Sequence, residues 1–404
     1  MYASYYGEST PFGSGNLTTN NLKYLSAQQV MLDLMLMREQ AIRQFKCPNS
    51  PWILMGGSWP GALAAWTRVK YPHLYVGAIA EAAPVNITLS SPQWNQVVAS
   101  VMGPACVERV VEMFGVLGDM IQTPSGFAEL TQTFSFLSTA PTVYPYDSSP
   151  GNMMYTLTTL VWGAAETNFG TPAVYPWKFP MQYMCTKLLE PRSINDTIAQ
   201  FVTLAKQYTA WANLIGSNNM LPTYRLFNYQ RYRCISTRAR NRRGAVPLIR
   251  HAPSRCTQIP IWNGYDADSR LFYPGPLIGP ELLLANCKID FGGGLIPNAH
   301  KTNLRFAGGR KPQFARTAGN IAFINDLWDP THSLTPMRDL SSSVKAINLP
   351  NMAHGGFLVG LILYPNPADR PPEFEQAIDT VGGLISSWIA EYHEQSRWLA
   401  EEQQ

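Results

Sequence analysis

The feature that most constrains the fold is a change of hydrophobic period inside one short stretch. "PWILM" (residues 51–55) is a continuous apolar run, the turn "GGSWPG" (56–61) follows, and the alanine-rich segment after Gly61 continues at helical spacing. A short unbroken apolar run bounded by turn residues reads as a strand buried on both faces. The helix should end near Tyr71–Pro72, because the residue before a proline avoids the helical region. A second apolar run, "VGAIAEAAPV" (76–85), then reads as another strand. Strand, helix and strand in such short order imply a parallel sheet, since parallel neighbours need a crossover connection.

The same pattern returns near the C-terminus, where "NIAFIN" (320–325) and "VKAINLP" (344–350) read as strands and a long helix lies within 372–400. Upstream, Ser26 begins a helix. Gln29 completes a capping box, Leu25 and Val30 can form a hydrophobic staple, and Val30, Leu34, Met37 and Ala41 repeat as a core-facing stripe. From about 95 to 290 no strand–helix alternation can be followed, and aromatic residues, methionine and proline abound. The expectation is an α/β core made of residues 1–95 and 291–404, interrupted by a mostly helical domain over 96–290. A chain of 404 residues with 46% hydrophobic and 14% charged residues can bury cores of that size.

Charge is distributed unevenly. The formal net charge is +4, yet eight arginines crowd into "RYRCISTRARNRRGAVPLIRHAPSR" (231–255), and the rest of the chain carries −4. That run has little aromatic interleaving and no helical spacing, so no nucleic-acid partner is expected. No window of 18 apolar residues occurs, so no membrane span is expected, and "MYASYYGEST" lacks the regions of a signal peptide. The six cysteines, Cys47, Cys106, Cys185, Cys234, Cys256 and Cys287, show no zinc-ligand spacing. No metal or cofactor is expected. The cysteines can form disulfides in any of fifteen pairings, or stay free and buried. Sequons at Asn16, Asn86 and Asn195 mark possible glycosylation and lean towards a secretory protein.

A nucleophilic serine needs a sharp turn between strand and helix, which lifts its Oγ above the sheet and aims backbone N–H groups at the oxyanion. "LMGGSWPGALAAW" supplies that context for Ser58, with Pro60 standing where the usual G-x-S-x-G motif has its last glycine. A serine also needs a base, and in α/β-hydrolases the partners follow in the order serine, acid, histidine. Asp329 lies just past "NIAFIN" and His354 just past "VKAINLP", both where a parallel sheet collects its functional residues. Asp326 is the second choice for the acid, because it sits nearer the strand end. The other histidines fit less well. His73, His251 and His393 have no strand just before them, His332 is too close to Asp329, and His300 falls in a loop rich in proline and asparagine.

These residues carry a resemblance over most of the chain. "YYGESTPFGSGNLTTNNLKYLSAQQVMLDL", "PWILMGGSWPGALAAWTRVKYPHLYVGAIAEAAPV", "FINDLWDPT" and "LPNMAHGG" followed by "NPADRPP" resemble segments of one family. It is the serine carboxypeptidase family that contains lysosomal Pro-Xaa carboxypeptidase, dipeptidyl peptidase II and thymus-specific serine protease. The resemblance implies an α/β-hydrolase fold with a helical cap domain and a Ser58, Asp329, His354 triad. It implies cleavage of peptide bonds after proline, releasing a C-terminal residue or an N-terminal dipeptide through an acyl-enzyme. The Trp59 N–H should be one oxyanion donor. The expected partners are a peptide substrate and, as an open option, a second copy of the chain. The expected compartment is lysosomal, vacuolar or extracellular.

The chain departs from the family in four places. The family has roughly a hundred residues before "YYGES", including the loop that gives the second oxyanion N–H, and a hydrolase missing one such donor loses roughly 100- to 1000-fold in rate. The departure implies an N-terminally truncated sheet. Thr331 stands where the family motif "DPW" has tryptophan, and Gly355, Gly356 and Phe357 follow the histidine where the family is polar and has an aspartate. Finally, joining "FNYQ" directly to "CTQ" would resemble the family's "YQxCTE", so 231–255 reads as an insertion. The alternatives are an inactive truncated member, or an esterase or lipase on the same fold.

Overall fold

In the computed structural model, residues 12, 21–139, 149–170, 177–218, 256, 258, 271–273, 278–291, 297–306, 319–364 and 366–402 are described. The chain divides into two compact units. One comprises Met1–Ser26 and Thr88–Asn298, the other Ala27–Ile87 and Ala299–Gln404.

Proline sets the beginnings of helices in the first unit. Its helices are α3 (Pro92–Met102), α4 (Pro104–Gln122), α5 (Pro124–Thr133), α6 (Pro150–Glu166), α7 (Pro180–Leu189), α8 (Ile194–Asn218) and α9 (Pro280–Phe291). All but α8 begin on proline, whose fixed φ suits the first turn and whose missing N–H would be unpaired there in any case. Ahead of α5 and α6, Thr123 and Ser149 accept hydrogen bonds from the Gly126 and Asn152 N–H groups, capping the free first turns. The helices bury an aromatic core in which the Phe114 ring meets Phe272 at 4.9 Å and Phe201 at 6.0 Å. The one polar demand of Trp162 is met inside it, by a 3.0 Å bond from its Nε1–H to Asn95 Oδ1. Cys106–Cys185 ties α4 to α7, and Cys256–Cys287 closes a second loop. Four of the six cysteines are therefore paired. Cys47 is free, and Cys234 lies outside the described residues, as does the whole of 231–255.

The second unit holds the sheet. Strands β1 (Ile53–Gly57), β2 (Gly77–Glu81), β3 (Ile321–Asp326) and β4 (Val344–Leu349) are all parallel and lie in chain order. Around them are α1 (Ala27–Phe45), α2 (Trp59–Lys70), α10 (Ala299–Phe306), α11 (Gly356–Leu363) and α12 (Pro372–Glu402). Every residue of β2 and β3 is buried, as their apolar runs predict. Helix α12 covers one face with Phe374, Ala377, Val381 and Trp388 against Ile79, Ala322 and Ile324. Full burial of a side chain the size of Val381, Ile79 or Phe374 contributes about 1.5–3 kcal/mol. Gly77 is glycine because a Cβ there would lie 2.1 Å from the Trp388 ring.

Three expectations need correction. β1 is not buried on both faces: it begins two residues later than its apolar run, leaves Met55 49% exposed and, among the described residues, pairs with β2 alone. The stripe on α1 is buried at Val30, half-buried at Leu34 and Ala41 and exposed at Met37, while the neighbouring Arg38 lies over the Trp52 ring. His300 is not in a loop but in α10, since the helix begins immediately after the proline–asparagine pair.

Candidate active site

Ser58 separates β1 from α2 and has φ 61° and ψ −131°. A non-glycine residue held there costs of order 1–3 kcal/mol, so its surroundings must impose the conformation. Two backbone bonds do so. Ser58 N–H donates to the Glu81 carbonyl at 2.9 Å, and the Ser58 carbonyl accepts from Ala62 N–H at 3.1 Å. The chain crosses itself so closely that a Cβ on Gly56 would lie 2.5 Å from the Pro60 backbone, and one on Gly61 2.5 Å from the Glu81 carbonyl oxygen. The clearance that the usual motif takes from its last glycine is supplied here by Gly61, one residue later. Trp59 opens α2, so its N–H belongs to a first turn that has no intrahelical acceptor.

Asp329 follows β3 and is fully buried. Its Oδ1 accepts from Thr331 N–H at 2.9 Å, and its Oδ2 lies 2.8 Å from His354 Nδ1, in the loop after β4. Thr331 Oγ1 stands 3.3 Å from the same ring nitrogen. Both carboxylate oxygens are thus occupied, which fixes the plane of the acid and favours a proton on Nδ1 of His354. Of the two acids weighed from sequence, His354 takes Asp329. Because the strands are parallel and in chain order, the loops carrying Ser58, Asp329 and His354 leave the same edge of the sheet.

Asp326, the last residue of β3, has a different neighbour. It and Glu81, the last residue of β2, are both fully buried, and their carboxyl groups gather on consecutive amides of one turn, near enough for each to act on the proton affinity of the other. Asp326 Oδ2 also accepts from Gly356 N–H at 3.0 Å, and Glu81 accepts from the N–H groups of Phe357 and Leu358. These three amides are the first turn of α11, two residues past His354. Burial pushes the Glu81 carboxyl up to about 7, opposed by the Leu358 and Phe357 amides. Burial also raises Asp326 well above the usual carboxylate range, reinforced by the charges of Glu81 and Asp329.

Of the remaining sequence-selected residues, His332 places Nδ1 3.3 Å from the Asp326 carbonyl, and His73 and His393 belong to a turn and to α12. His251 lies outside the described residues. Asn86 and Asn195 are exposed, and Asn16 lies outside the described residues. Among the described residues no cluster of three or more histidine, cysteine or acidic side chains is arranged to hold a metal, and no helix is long and apolar enough to cross a membrane.

Sequence reasoning missed Glu81 entirely and the part played by Thr331. Glu81 carried a signal: a lone charge in "VGAIAEAAPV", a strand otherwise apolar. Thr331 carried none, because its hydroxyl and amide matter only once the loops after β3 and β4 meet.

The fold and the site define an α/β protein whose parallel sheet ends in a strained serine turn and a buried aspartate–histidine pair. Comparison with known proteins agrees: residues 4–360 match the serine carboxypeptidase S28 family, and the chain belongs to it. Mouse (Mus musculus) lysosomal Pro-X carboxypeptidase is 26% identical over 375 residues, which cover 87% of this chain and 68% of that protein. The human (Homo sapiens) protein of that name is 33% identical over 135 residues, 31% of this chain and 27% of that one. Human thymus-specific serine protease is 40% identical over 96 residues, 24% of this chain and 18% of that one. A Caenorhabditis elegans relative named for serine protease activity is 34% identical over 134 residues, 32% of this chain and 24% of its own length. For that relative and both human proteins the matched stretch is thus about a quarter of their length or less.

Proposed function

We propose that the chain is a serine exopeptidase on an α/β-hydrolase fold, cleaving peptide bonds after proline, with Ser58 as nucleophile, His354 as base and Asp329 as its orienting acid. The observation that carries this reading is the 2.8 Å bond between His354 Nδ1 and the fully buried Asp329, at the sheet edge where Ser58 is held at positive φ. With its proton on Nδ1, the imidazole presents Nε2 as the acceptor for the Ser58 hydroxyl proton as Oγ attacks the scissile carbonyl. The tetrahedral oxyanion is met by the Trp59 N–H, the imidazolium returns its proton to the leaving amine, and water activated by His354 releases the acyl group. Lysosomal Pro-X carboxypeptidase among the relatives supports a carboxypeptidase specificity and a lysosomal setting. The interrupting unit Thr88–Asn298 would be the helical cap domain of the family.

Covalent labelling by a fluorophosphonate probe tests the chemistry. The chain should label and Ser58→Ala should not; equal labelling of the two refutes the assignment. Substrates of the Pro-Xaa, dipeptidyl and acyl ester types, compared by kcat/KM, then separate the carboxypeptidase from its dipeptidyl peptidase and lipase alternatives.

A further inference from the structure

Glu81 and Asp326 are two fully buried carboxyl groups for which the triad has no use. Their contacts reach all three loops of the site. Glu81 receives Ser58 N–H on its own carbonyl, and its side chain stands beside Gly57, where an added Cβ would lie 3.3 Å from Oε2. The same side chain accepts from the Phe357 and Leu358 N–H groups of the His354 loop. Asp326 accepts from Gly356 N–H, and its carbonyl accepts from Asp329 N–H at 3.0 Å. Its Oδ1 meets no protein donor, so a proton held between the two carboxyls answers an oxygen otherwise left bare.

Two ionised carboxylates cannot share so dry a contact, because like charges within hydrogen-bond reach raise one another's proton affinity. The titratable groups acting on the pair are Asp329 and His354, with His332 on the Asp326 carbonyl. Asp329 adds to the repulsion. His354 opposes it only when protonated, which is not its state when it is ready to accept a proton from serine.

We propose that Glu81 and Asp326 are positioning residues: a carboxyl pair that keeps at least one proton between its two groups and thereby locks the His354 loop onto the Ser58 turn. The inference rests on the peptidase reading above. Losing the last proton sets two negative charges against each other beneath α11 and moves His354 away from Ser58, so the pair imposes an alkaline limit on catalysis that the triad alone would not have.

The test compares fluorophosphonate labelling rates of the full chain and its variants from about pH 5 to about pH 9, a range that spans the histidine titration. In wild type the rate should rise with deprotonation of His354 and fall again at the alkaline end. Asp326→Asn keeps an acceptor for Gly356 and gives Glu81 a permanent N–H donor; it should label on the acid side and lose the alkaline fall. Glu81→Ala strands the Phe357 and Leu358 amides and should slow labelling on the order of 10- to 100-fold at every pH, the effect of misplacing a catalytic group by about an ångström. An alkaline fall in Asp326→Asn that superimposes on wild type, or a Glu81→Ala rate equal to wild type, overturns the proposal. Should Glu81→Ala not fold, Glu81→Gln replaces it, since it keeps the acceptor oxygen and must also shift the alkaline fall. A wild type that labels no faster than Ser58→Ala refutes the peptidase reading instead. The pair is then judged by thermal midpoints over the same range, where Asp326→Asn must flatten the alkaline decline or the proposal fails.

Discussion

In the helical unit, α4 is fixed to α7 by the Cys106–Cys185 bond, and its Phe114 meets Phe201 of α8 and Phe272 edge-on. At the edge of the sheet, Ser58, Glu81, Asp326, Asp329 and His354 are held by hydrogen bonds, several of them to ionisable groups. Covalent bonds and apolar burial do not respond to protons, whereas a hydrogen bond to a carboxyl or an imidazole does. The contrast follows from what each region must do. A scaffold gains from contacts indifferent to pH, but proton transfer needs groups whose protonation can change, and their positions then depend on pH as well.

Substitutions should separate the two regions. The largest effect is expected from Asp329→Asn, which keeps the shape of the loop but presents an amide to His354 Nδ1. The wrong tautomer results, and labelling of Ser58 should fall roughly 10³- to 10⁴-fold with an unchanged melting temperature. A variant that labels normally would remove Asp329 from the triad. Replacing Cys106 and Cys185 together by alanine should do the reverse. Denaturant titration should show a loss of roughly 2–5 kcal/mol, given the 79-residue separation of the pair, while the labelling rate per folded molecule stays put. A large change in labelling with stability intact would break the contrast.

The pH dependence of stability sharpens it next. Glu81 is raised from the usual 4.5 to about 7 in the folded chain. The folded state therefore binds more protons than the unfolded one across that window. The stability this contributes is full below about 4.5 and is lost as the pH rises through about 7, a change on the order of 3 kcal/mol. A wild type whose melting temperature rises over that window would contradict the raised carboxyl. The smallest effect belongs to Asn86 and Asn195, whose side chains are exposed. Expressed in a secretory host, the chain should lose mass on glycosidase treatment, and changing both to Gln should leave labelling and melting unaltered. Unchanged mass in wild type would dismiss both sequons.

Much of this was written in the sequence, for identifiable reasons. The apolar runs at 76–85 and 320–325 hold strands because a fully buried parallel strand must be apolar on both faces, whereas the strand in 344–350 is buried only at Val344 and Leu349. Ser58, Asp329 and His354 could be picked out because parallel strands put whatever follows them at one edge. β1 was legible as a strand but not as one with Met55 half exposed, because an apolar run does not say what covers each of its faces. Met37 failed for a similar reason: helical periodicity names a face but not which of its positions a neighbour covers.

The sequence by itself determined the period of each element, the glycines that let the chain cross near Ser58, and the order serine, acid, histidine along the chain. Tertiary structure alone decided that His354 takes Asp329 rather than Asp326, that Thr331 backs the pair, and that Glu81 meets Asp326. Local patterns are set by φ, ψ and the burial of neighbours in sequence. The proton affinity of a carboxyl is set by desolvation and by charges from other strands, and 244 residues of chain lie between Glu81 and Asp326.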